Sequence, residues 1–301
     1  MIEFRSVGKT YRSLLGTPVP AVTDFSLVVR DGEVLGLAGP NGAGKSTLIG
    51  LMLGFMPPST GEVSIDGLAP RAYVERHGIG YLSELVAIPP AWRMENALRR
   101  YALLAGVAPD RVEQRVNEVI EQIELGEHRR KLIKHLSKGN LQRVGLAQAL
   151  LCDERVIIFD EPTHGLDPMW TQRFRDLVVS LRRPDRVIFI ASHNLDELQR
   201  ISDRVAIIDN GRLQRVVDFK TPASAGNRVP YRLTVAGGAE HVAAVFPDAV
   251  PAAFNEFDLP ERSLEQLNAQ LSDLIARGGL VLSIAPAQTA LEQQFREAVG
   301  R

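Results

Sequence analysis

The sequence has almost no cysteine, since Cys152 is the only one among 301 residues. An intramolecular disulfide framework is therefore excluded, and the chain is compatible with a reducing compartment. We interpret Cys152 as a buried structural thiol. The sequence also lacks an excess of charge of either sign, because 35 Lys and Arg face 36 Asp and Glu and the net charge is −1. This balance gives no electrostatic reason to expect a nucleic acid partner.

Long apolar runs are missing as well. No stretch approaches the roughly 20 apolar residues that a membrane-spanning helix needs, and the longest candidate is only 48–56. The first 20 residues carry charges and no apolar segment, so we expect no signal peptide and a soluble protein. What remains is an ordinary globular composition, 45% hydrophobic and 24% charged, sufficient for one large or two modest domains.

The most informative motif is a glycine-rich loop at 39–47. It has two glycines separated by four residues, then lysine and a hydroxyl residue, between a predicted strand at 34–38 and a predicted helix at 48–53. Glycines let backbone N–H groups converge on phosphate oxygens, and the helix adds the positive end of its dipole. The loop predicts a nucleoside triphosphate ligand and leaves kinases, GTPases and motors open. The residues expected to bind phosphate are Gly39, Asn41, Gly42, Gly44, Lys45 at the β- and γ-phosphates, and Thr47, with Ser46 as a magnesium ligand.

Two later apolar runs, 156–159 and 187–190, end in polar residues, which is typical of parallel strands buried on both faces. Ligands of such sheets lie beyond the carboxyl ends of the strands. We therefore expect Asp160-Glu161 and Ser192-His193 to face the phosphate pocket. Asp160 is placed to hold magnesium through water, and Glu161 to accept a proton from the attacking water or to orient it. The alternative is a surface acidic pair, which the phosphate loop disfavours.

The rest of the chain gives a coarse prediction. Residues 57–67 are predicted to be turn-rich, whereas the apolar spacing over 112–123 predicts a helix. The composition changes after about Lys220. Beyond it we predict a small α+β domain with strands at 231–235 and 280–284 and helices at 241–246, 264–275 and 289–299.

The run 136–143, Leu-Ser-Lys-Gly-Asn-Leu-Gln-Arg, begins with a helix N-terminus signal at Ser137, 23 residues before Asp160. With this run the chain resembles the ATP-binding-cassette (ABC) ATPases over roughly 1–220. The segment 161–168 resembles the Walker B to D-loop segment of that family, and His193 resembles its switch histidine. Tyr11 stands where the family carries an aromatic residue that stacks on adenine.

The resemblance implies a fold. It is the α/β P-loop NTPase fold of an ABC ATPase, with a mainly parallel core sheet, an antiparallel β subdomain and a helical subdomain at about 84–150. Together these form a nucleotide-binding domain at 1–220. An accessory domain at 221–301 would contribute to dimerisation or regulation.

The resemblance also implies cofactors and partners. ATP and Mg²⁺ would bind, and two cassettes, identical or homologous, would form a head-to-tail dimer. ATP on the loop of one subunit would then be covered by Ser137, Gly139 and Asn140 of the other. His193 would contact the γ-phosphate, and Asp167 would link the two sites.

Three positions depart from the family pattern. Glu84 stands where the family usually has a magnesium-sensing glutamine, and we expect it to do the same work as a metal ligand. Lys138 and Asn140 replace a glycine and a glutamine of the signature; Lys138 either adds positive charge to the site or points into solvent. His164 replaces a small residue, and we interpret it as a spectator.

These patterns predict an ATPase that powers an ABC transporter from the cytoplasmic face of a membrane, with the permease on a separate chain. Resemblance to bacterial multidrug, polysaccharide and sodium exporters favours export. The apolar segment 86–92, with Trp92, either contacts the permease or is a buried loop. Two alternatives remain: a soluble ABC ATPase serving translation, iron–sulfur assembly or repair, and a regulatory cassette without turnover. The sequence shows no second cassette or coiled-coil insertion, and Glu161 argues against the regulatory cassette.

Overall fold

The computed structural model describes residues 1–13, 16–219, 229–286 and 290–300. The chain divides into two compact units, 1–218 and 219–301. Lys220, where we placed the domain boundary, lies outside the described residues. Within the described ranges no helix is both long enough and apolar enough to cross a bilayer.

The larger unit contains both strands and helices. Its elements in chain order are β1 (Ile2–Arg12), β2 (Pro18–Val29), β3 (Val34–Ala38), α1 (Lys45–Met52), β4 (Thr60–Ile65), α2 (Pro70–His77), β5 (Gly80–Leu82), α3 (Met94–Leu104), α4 (Val112–Gln122), α5 (Lys138–Ala149), β6 (Val156–Asp160), α6 (Pro168–Leu181), β7 (Val187–Ser192), α7 (Leu195–Ile201), β8 (Arg204–Asp209) and β9 (Arg212–Asp218).

A six-stranded sheet of order β5-β6-β7-β3-β8-β9 forms the centre of this unit, and only β9 pairs antiparallel in it. Every residue of β3, β6 and β7 is buried, because these strands are apolar on both faces. The register sets Ala38 beside Ser192 and Asp160 beside Ala191. The loops that follow these three strands therefore begin at the same edge of the sheet.

A second sheet, of order β2-β1-β4, is antiparallel and contributes to the same hydrophobic core. Phe4 and Phe25 meet there edge to face, with 5.3 Å between ring centroids. The prediction that 57–67 is turn-rich was wrong, since β4 occupies 60–65 and buries Val63 and Ile65 against β1. The alternation of these two apolar residues was outweighed by the nearby prolines and glycines.

The helices α3, α4 and α5 lie between β5 and β6 in the chain. The predicted apolar stripe of α4 is buried, as shown by Val112, Val116 and Val119. Cys152 follows α5 and is half-buried rather than buried; its thiol donates to the carbonyl of Ala105 over 3.3 Å. Burial raises the pKa of that thiol.

The smaller unit is a four-stranded antiparallel sheet of order β11-β12-β10-β13 with helices. Its core contains Tyr231, Leu233, Phe246 and Leu274. The hairpin of β11 and β12 was not predicted, because its turn at Asn255 takes a positive φ of 58° without a glycine. Thr289, the predicted start of the last helix, lies outside the described residues. The elements are β10 (Val229–Gly237), α8 (Ala239–Val245), β11 (Val250–Ala253), β12 (Glu256–Arg262), α9 (Leu264–Ala276), β13 (Leu280–Pro286) and α10 (Ala290–Val299).

Candidate functional site

The glycine-rich loop connects β3 to α1, as the sequence predicts. A Cβ at Gly39 would lie 2.5 Å from the carbonyl oxygen of Ile208, and one at Gly44 would lie 2.7 Å from that of Ala21. Gly44 also has a φ of +109°, so glycine is required there. Gly44 precedes α1 without a side-chain cap, which leaves the first N–H groups of the helix available to an anion.

Lys45 is buried and its ammonium is held over the loop. The Nζ donates to the carbonyl of Gly39 over 2.7 Å and lies 4.0 Å from Glu161 Oε1. Lys45 is thus placed between the loop that would hold phosphate and the carboxylate that follows β6.

Glu161 is buried and its carboxylate is fixed by three donors. The Ser192 hydroxyl donates to Oε2 over 3.1 Å, the His193 backbone N–H donates to Oε1 over 3.0 Å, and His193 Nδ1 lies 2.8 Å from Oε2. The backbone of Glu161 is left-handed, with φ 48°, a conformation that costs roughly 1–2 kcal/mol for a residue with a Cβ. In this conformation the carboxylate is directed across the sheet edge to the end of β7, where it contacts Ser192 and His193.

Asp160, the last residue of β6, is 5% exposed. The pKa of its carboxyl is raised to about 6, first by burial and then by the nearby charges of Glu84 and Glu161, whereas Lys45 acts to lower it. A buried carboxylate beside two others is an unfavourable arrangement until a cation reaches it.

These groups line one cavity of about 460 Å³. It brings together the phosphate loop, the three carboxylates and His193. It also includes His164, which we interpreted from the sequence as a spectator. The lining residues are Ala21, Pro40, Asn41, Gly42, Gly44, Lys45, Ser46, Thr47, Glu84, Asp160, Glu161, His164 and His193.

Six of the expected binding residues do not line this cavity. Tyr11 lies beside it, with its hydroxyl 3.4 Å from Thr47 Oγ1 and its ring partly exposed. The contact of Gly39 with the site is its carbonyl, which accepts a hydrogen bond from Lys45 Nζ. The other residues outside the lining are Ser137, Gly139, Asn140 and Asp167.

Ser137 and Asp167 are helix caps in this chain. The Ser137 hydroxyl oxygen accepts from the Asn140 backbone N–H at the start of α5, and Asp167 accepts from the Trp170 N–H at the start of α6. The Ser137 oxygen serves as an acceptor, so its own hydrogen is free to donate elsewhere. Asp167 is exposed apart from its capping bond.

Sequence reasoning missed two residues that hold these segments together. The Gln142 amide on α5 donates to the carbonyls of Glu161 and Pro162, both over 3.3 Å. Arg143, the next residue, stacks on Trp170 with 3.9 Å to the ring centroid and donates to the Ile123 carbonyl. The only signal in the sequence was the continuation of the signature run into Gln-Arg.

The oxygen donors of the cavity fit Mg²⁺. Ser46, Glu84 and Asp160 offer a hydroxyl and two carboxylates, the hard ligands that this ion prefers. In the part of the chain that the structure describes, no three His, Cys, Asp or Glu side chains form a metal site on their own. A magnesium ion with so few protein ligands completes its shell from phosphate and water.

Comparisons with known proteins also point to ATP-binding proteins of ABC transporters. Residues 22–164 match the family model described as ABC transporter. An uncharacterized ABC transporter ATP-binding protein of Nostoc is 39% identical over 215 residues, which are 68% of this chain and 62% of the relative. The protein YhcH of Bacillus subtilis, with the same description, is 34% identical over 100% of this chain and 96% of its own length.

Two further similarities bear on function and fold. A protein of Pseudomonas putida named methionine import ATP-binding protein MetN 1 is 33% identical, over 71% of this chain and 66% of its own length. This chain thus spans less than two thirds of the Nostoc and Pseudomonas relatives. A solved dimeric ATP-binding cassette, in a post-hydrolysis state with ADP and Pi, superimposes with a TM-score of 0.68. The superposition covers 73% of this chain and 100% of the cassette. The sequence identity is 22%, so this similarity is evidence for the fold alone.

The raised pKa of Asp160 predicts a pH dependence of stability without nucleotide or metal. The folded-state pKa of about 6 exceeds the ordinary value of 3.8, so the folded chain binds this proton more tightly than the unfolded one. Stability from this group is present below about pH 4 and is lost as the pH rises through 6. Asp160→Asn should therefore raise the thermal unfolding midpoint over wild type more at pH 7.5 than at pH 5, in buffer with a chelator.

The matched control is Asp185→Asn, since the Asp185 side chain is 54% exposed. Its midpoint difference from wild type should not grow with pH. An Asp160→Asn difference that is equal at both pH values would contradict the assignment.

Proposed function

The chain belongs to the ABC transporter family of ATPases, and on that premise we propose that it is the ATP-hydrolysing subunit of a transporter whose membrane-spanning part is a separate chain. The observation that carries the proposal is the carboxylate of Glu161, buried and held by His193 and Ser192 in the same cavity as the phosphate loop. A carboxylate fixed opposite a phosphate site is what the activation of a water molecule requires.

The residues divide the reaction between them. The loop N–H groups and Lys45 hold the phosphates. Glu161, oriented by its three donors, receives the proton of the attacking water. His193 has Nδ1 on Glu161 and a largely exposed ring, so a protonated imidazole can also donate to the γ-phosphate from Nε2. Mg²⁺, bound by Ser46, Asp160 and Glu84, would neutralise phosphate charge.

The cavity of one chain lacks the signature residues, which supports a dimer. Ser137, Gly139 and Asn140 lie outside the lining, while the hydroxyl hydrogen of Ser137 is free of its capping bond. The solved cassette of similar fold is dimeric. We propose that a second cassette supplies these three residues over the nucleotide and that Asp167 contacts it. Tyr11, beside Thr47, would stack on adenine.

An apolar surface next to Glu84 supports the membrane partner. Leu85 is 78% exposed and Phe55 71% exposed, and Phe55 meets Tyr81 edge to face. A groove of about 340 Å³ adjoins them, lined by residues that include Leu85, Val86 and Tyr101. We propose that the permease docks here, on the cytoplasmic side of its membrane. Such a dock next to Glu84 would couple transport to the nucleotide site.

Trp92 is a weaker candidate for that contact. Its ring is half-buried, with the Arg100 guanidinium 4.1 Å from the ring centroid and Tyr101 at 6.4 Å. The expectation that Trp92 contacts the permease stays a prediction.

The direction of transport is also a proposal. Resemblance to exporters favours export, whereas several relatives, including the one from Pseudomonas putida, are named methionine import ATP-binding proteins. The domain beyond Lys220 is proposed to serve dimerisation or regulation. The main rival function is a soluble ABC ATPase with no permease, and the exposed apolar groove beside Glu84 favours the transporter subunit over it.

Replacing the proposed base tests hydrolysis. Glu161→Gln removes the proton acceptor but keeps the shape, so we expect ATP turnover to fall by about 10²–10⁴-fold. The variant should also form a dimer in ATP that is absent in ADP. Steady-state ATPase rates and size-exclusion chromatography measure the two effects. Glu121→Gln, on the exposed face of α4, is the control and should behave as wild type. Turnover at the wild-type rate in Glu161→Gln would refute the role of Glu161.

Charging the groove tests the permease. Leu85→Glu should prevent co-purification with the membrane protein of an adjacent reading frame while ATP binding is retained, because the docking surface would bury a charge. Val179→Glu, at a residue 63% exposed on α6, is the matched control and should leave the complex intact. If Leu85→Glu still assembles and supports transport, the permease does not dock on this groove.

A further inference from the structure

Two side chains that depart from the family pattern meet in this structure. Lys138 Nζ lies 2.9 Å from His164 Nε2. The aliphatic stem of Lys138 runs along Gly165, where an added Cβ would come within 3.0 Å of two of its carbons. The His164 backbone N–H donates to the Glu161 carbonyl over 3.1 Å, which closes a turn just after the proposed base. His164 is therefore held from two sides while its ring lines the nucleotide cavity.

The partner of His164 decides which nitrogen carries the hydrogen. An ammonium group has three donors and no acceptor, so the Nε2 that faces Lys138 must accept. A neutral imidazole that accepts at Nε2 carries its hydrogen on Nδ1. Lys138 thus fixes a ring whose remaining nitrogen is a donor.

The charge of the cavity shows what such a donor would meet. Glu84, Asp160 and Glu161 are carboxylates, and among the lining residues that the structure describes Lys45 is the only fixed cation. A triphosphate brings further negative charge into this lining. The ammonium of Lys138, reached through His164, adds positive charge beside the same cavity. A polarised N–H next to an ammonium is a favourable partner for a phosphate oxygen.

We propose that His164 binds the terminal phosphate of the nucleotide through its Nδ1–H, and that Lys138 is the positioning residue that fixes this tautomer. The inference rests on the proposed function, since it needs ATP in the cavity. It places the contact at the γ-phosphate because His164 is tied to Glu161, the residue proposed to direct water at that phosphate. His164 therefore distinguishes ATP from ADP.

The test measures the dissociation constants of the magnesium complexes of AMP-PNP and of ADP. His164→Ala should weaken AMP-PNP by about tenfold, the value of one charge-assisted hydrogen bond, and ADP by less than about twofold. His164→Asn keeps a donor at the δ position and should retain most of the AMP-PNP affinity. His164→Gln places its amide at the ε position, so it should behave as His164→Ala.

Two further variants complete the set. Lys138→Met keeps the stem along Gly165 but frees the tautomer, and should give a smaller loss of AMP-PNP affinity with ADP unaffected. His241→Ala, in the smaller unit, is the matched histidine control and should change neither constant. His164 is exposed, so its variants should keep the thermal unfolding midpoint; if His164→Ala does not fold, the Asn and Gln pair carries the test.

The outcomes separate this inference from the proposed function. Equal weakening of AMP-PNP and ADP in His164→Ala, or rescue by Gln and not by Asn, would overturn the phosphate contact or its tautomer. If wild type hydrolyses ATP and His164→Ala keeps the selectivity of wild type for AMP-PNP over ADP, only this inference fails. A wild-type chain that binds neither nucleotide would remove the proposed function itself.

Discussion

The carboxylate of Glu161 is the interaction on which the rest of the site depends. It closes the end of β6 onto the end of β7 through Ser192 and His193, and it lies 4.0 Å from the ammonium of Lys45. The Glu161 backbone also accepts from Gln142 on α5. One residue in a left-handed conformation thus connects the glycine-rich loop, His193 and α5. A change in the contacts of Glu161 would therefore alter the positions of side chains in all three segments.

Negative charge is the main electrostatic constraint on this cavity. Three carboxylates converge where a highly charged anion is to bind, and Asp160 is buried among them. These carboxylates repel one another, and positive charge in the cavity offsets that repulsion. Lys45 acts in that direction, and a magnesium ion and the proposed Lys138–His164 pair would do the same.

The strands of the core sheet could be predicted because they are short, continuous apolar runs, such as 156–159 and 187–190. Such runs are typical of parallel strands that are buried on both faces. Strand β4 could not, because Val63 and Ile65 become a buried face only when β1 lies beside them. The hairpin at Asn255 was missed for a similar reason. Its positive φ is imposed by the pairing of β11 with β12 rather than by a glycine.

The sequence by itself predicted a nucleoside triphosphate ligand, the glycine-rich loop that would bind it and the acidic pair after β6, because these depend on local spacing along a strand, a turn and a helix. Only the tertiary structure decided that Lys138 and His164, 26 residues apart, touch, and that His164 lines the cavity. Sequence spacing carries no information on which side chain of one loop reaches another. That depends on how α5 and the turn after β6 pack, and the amide of Gln142 holds them together.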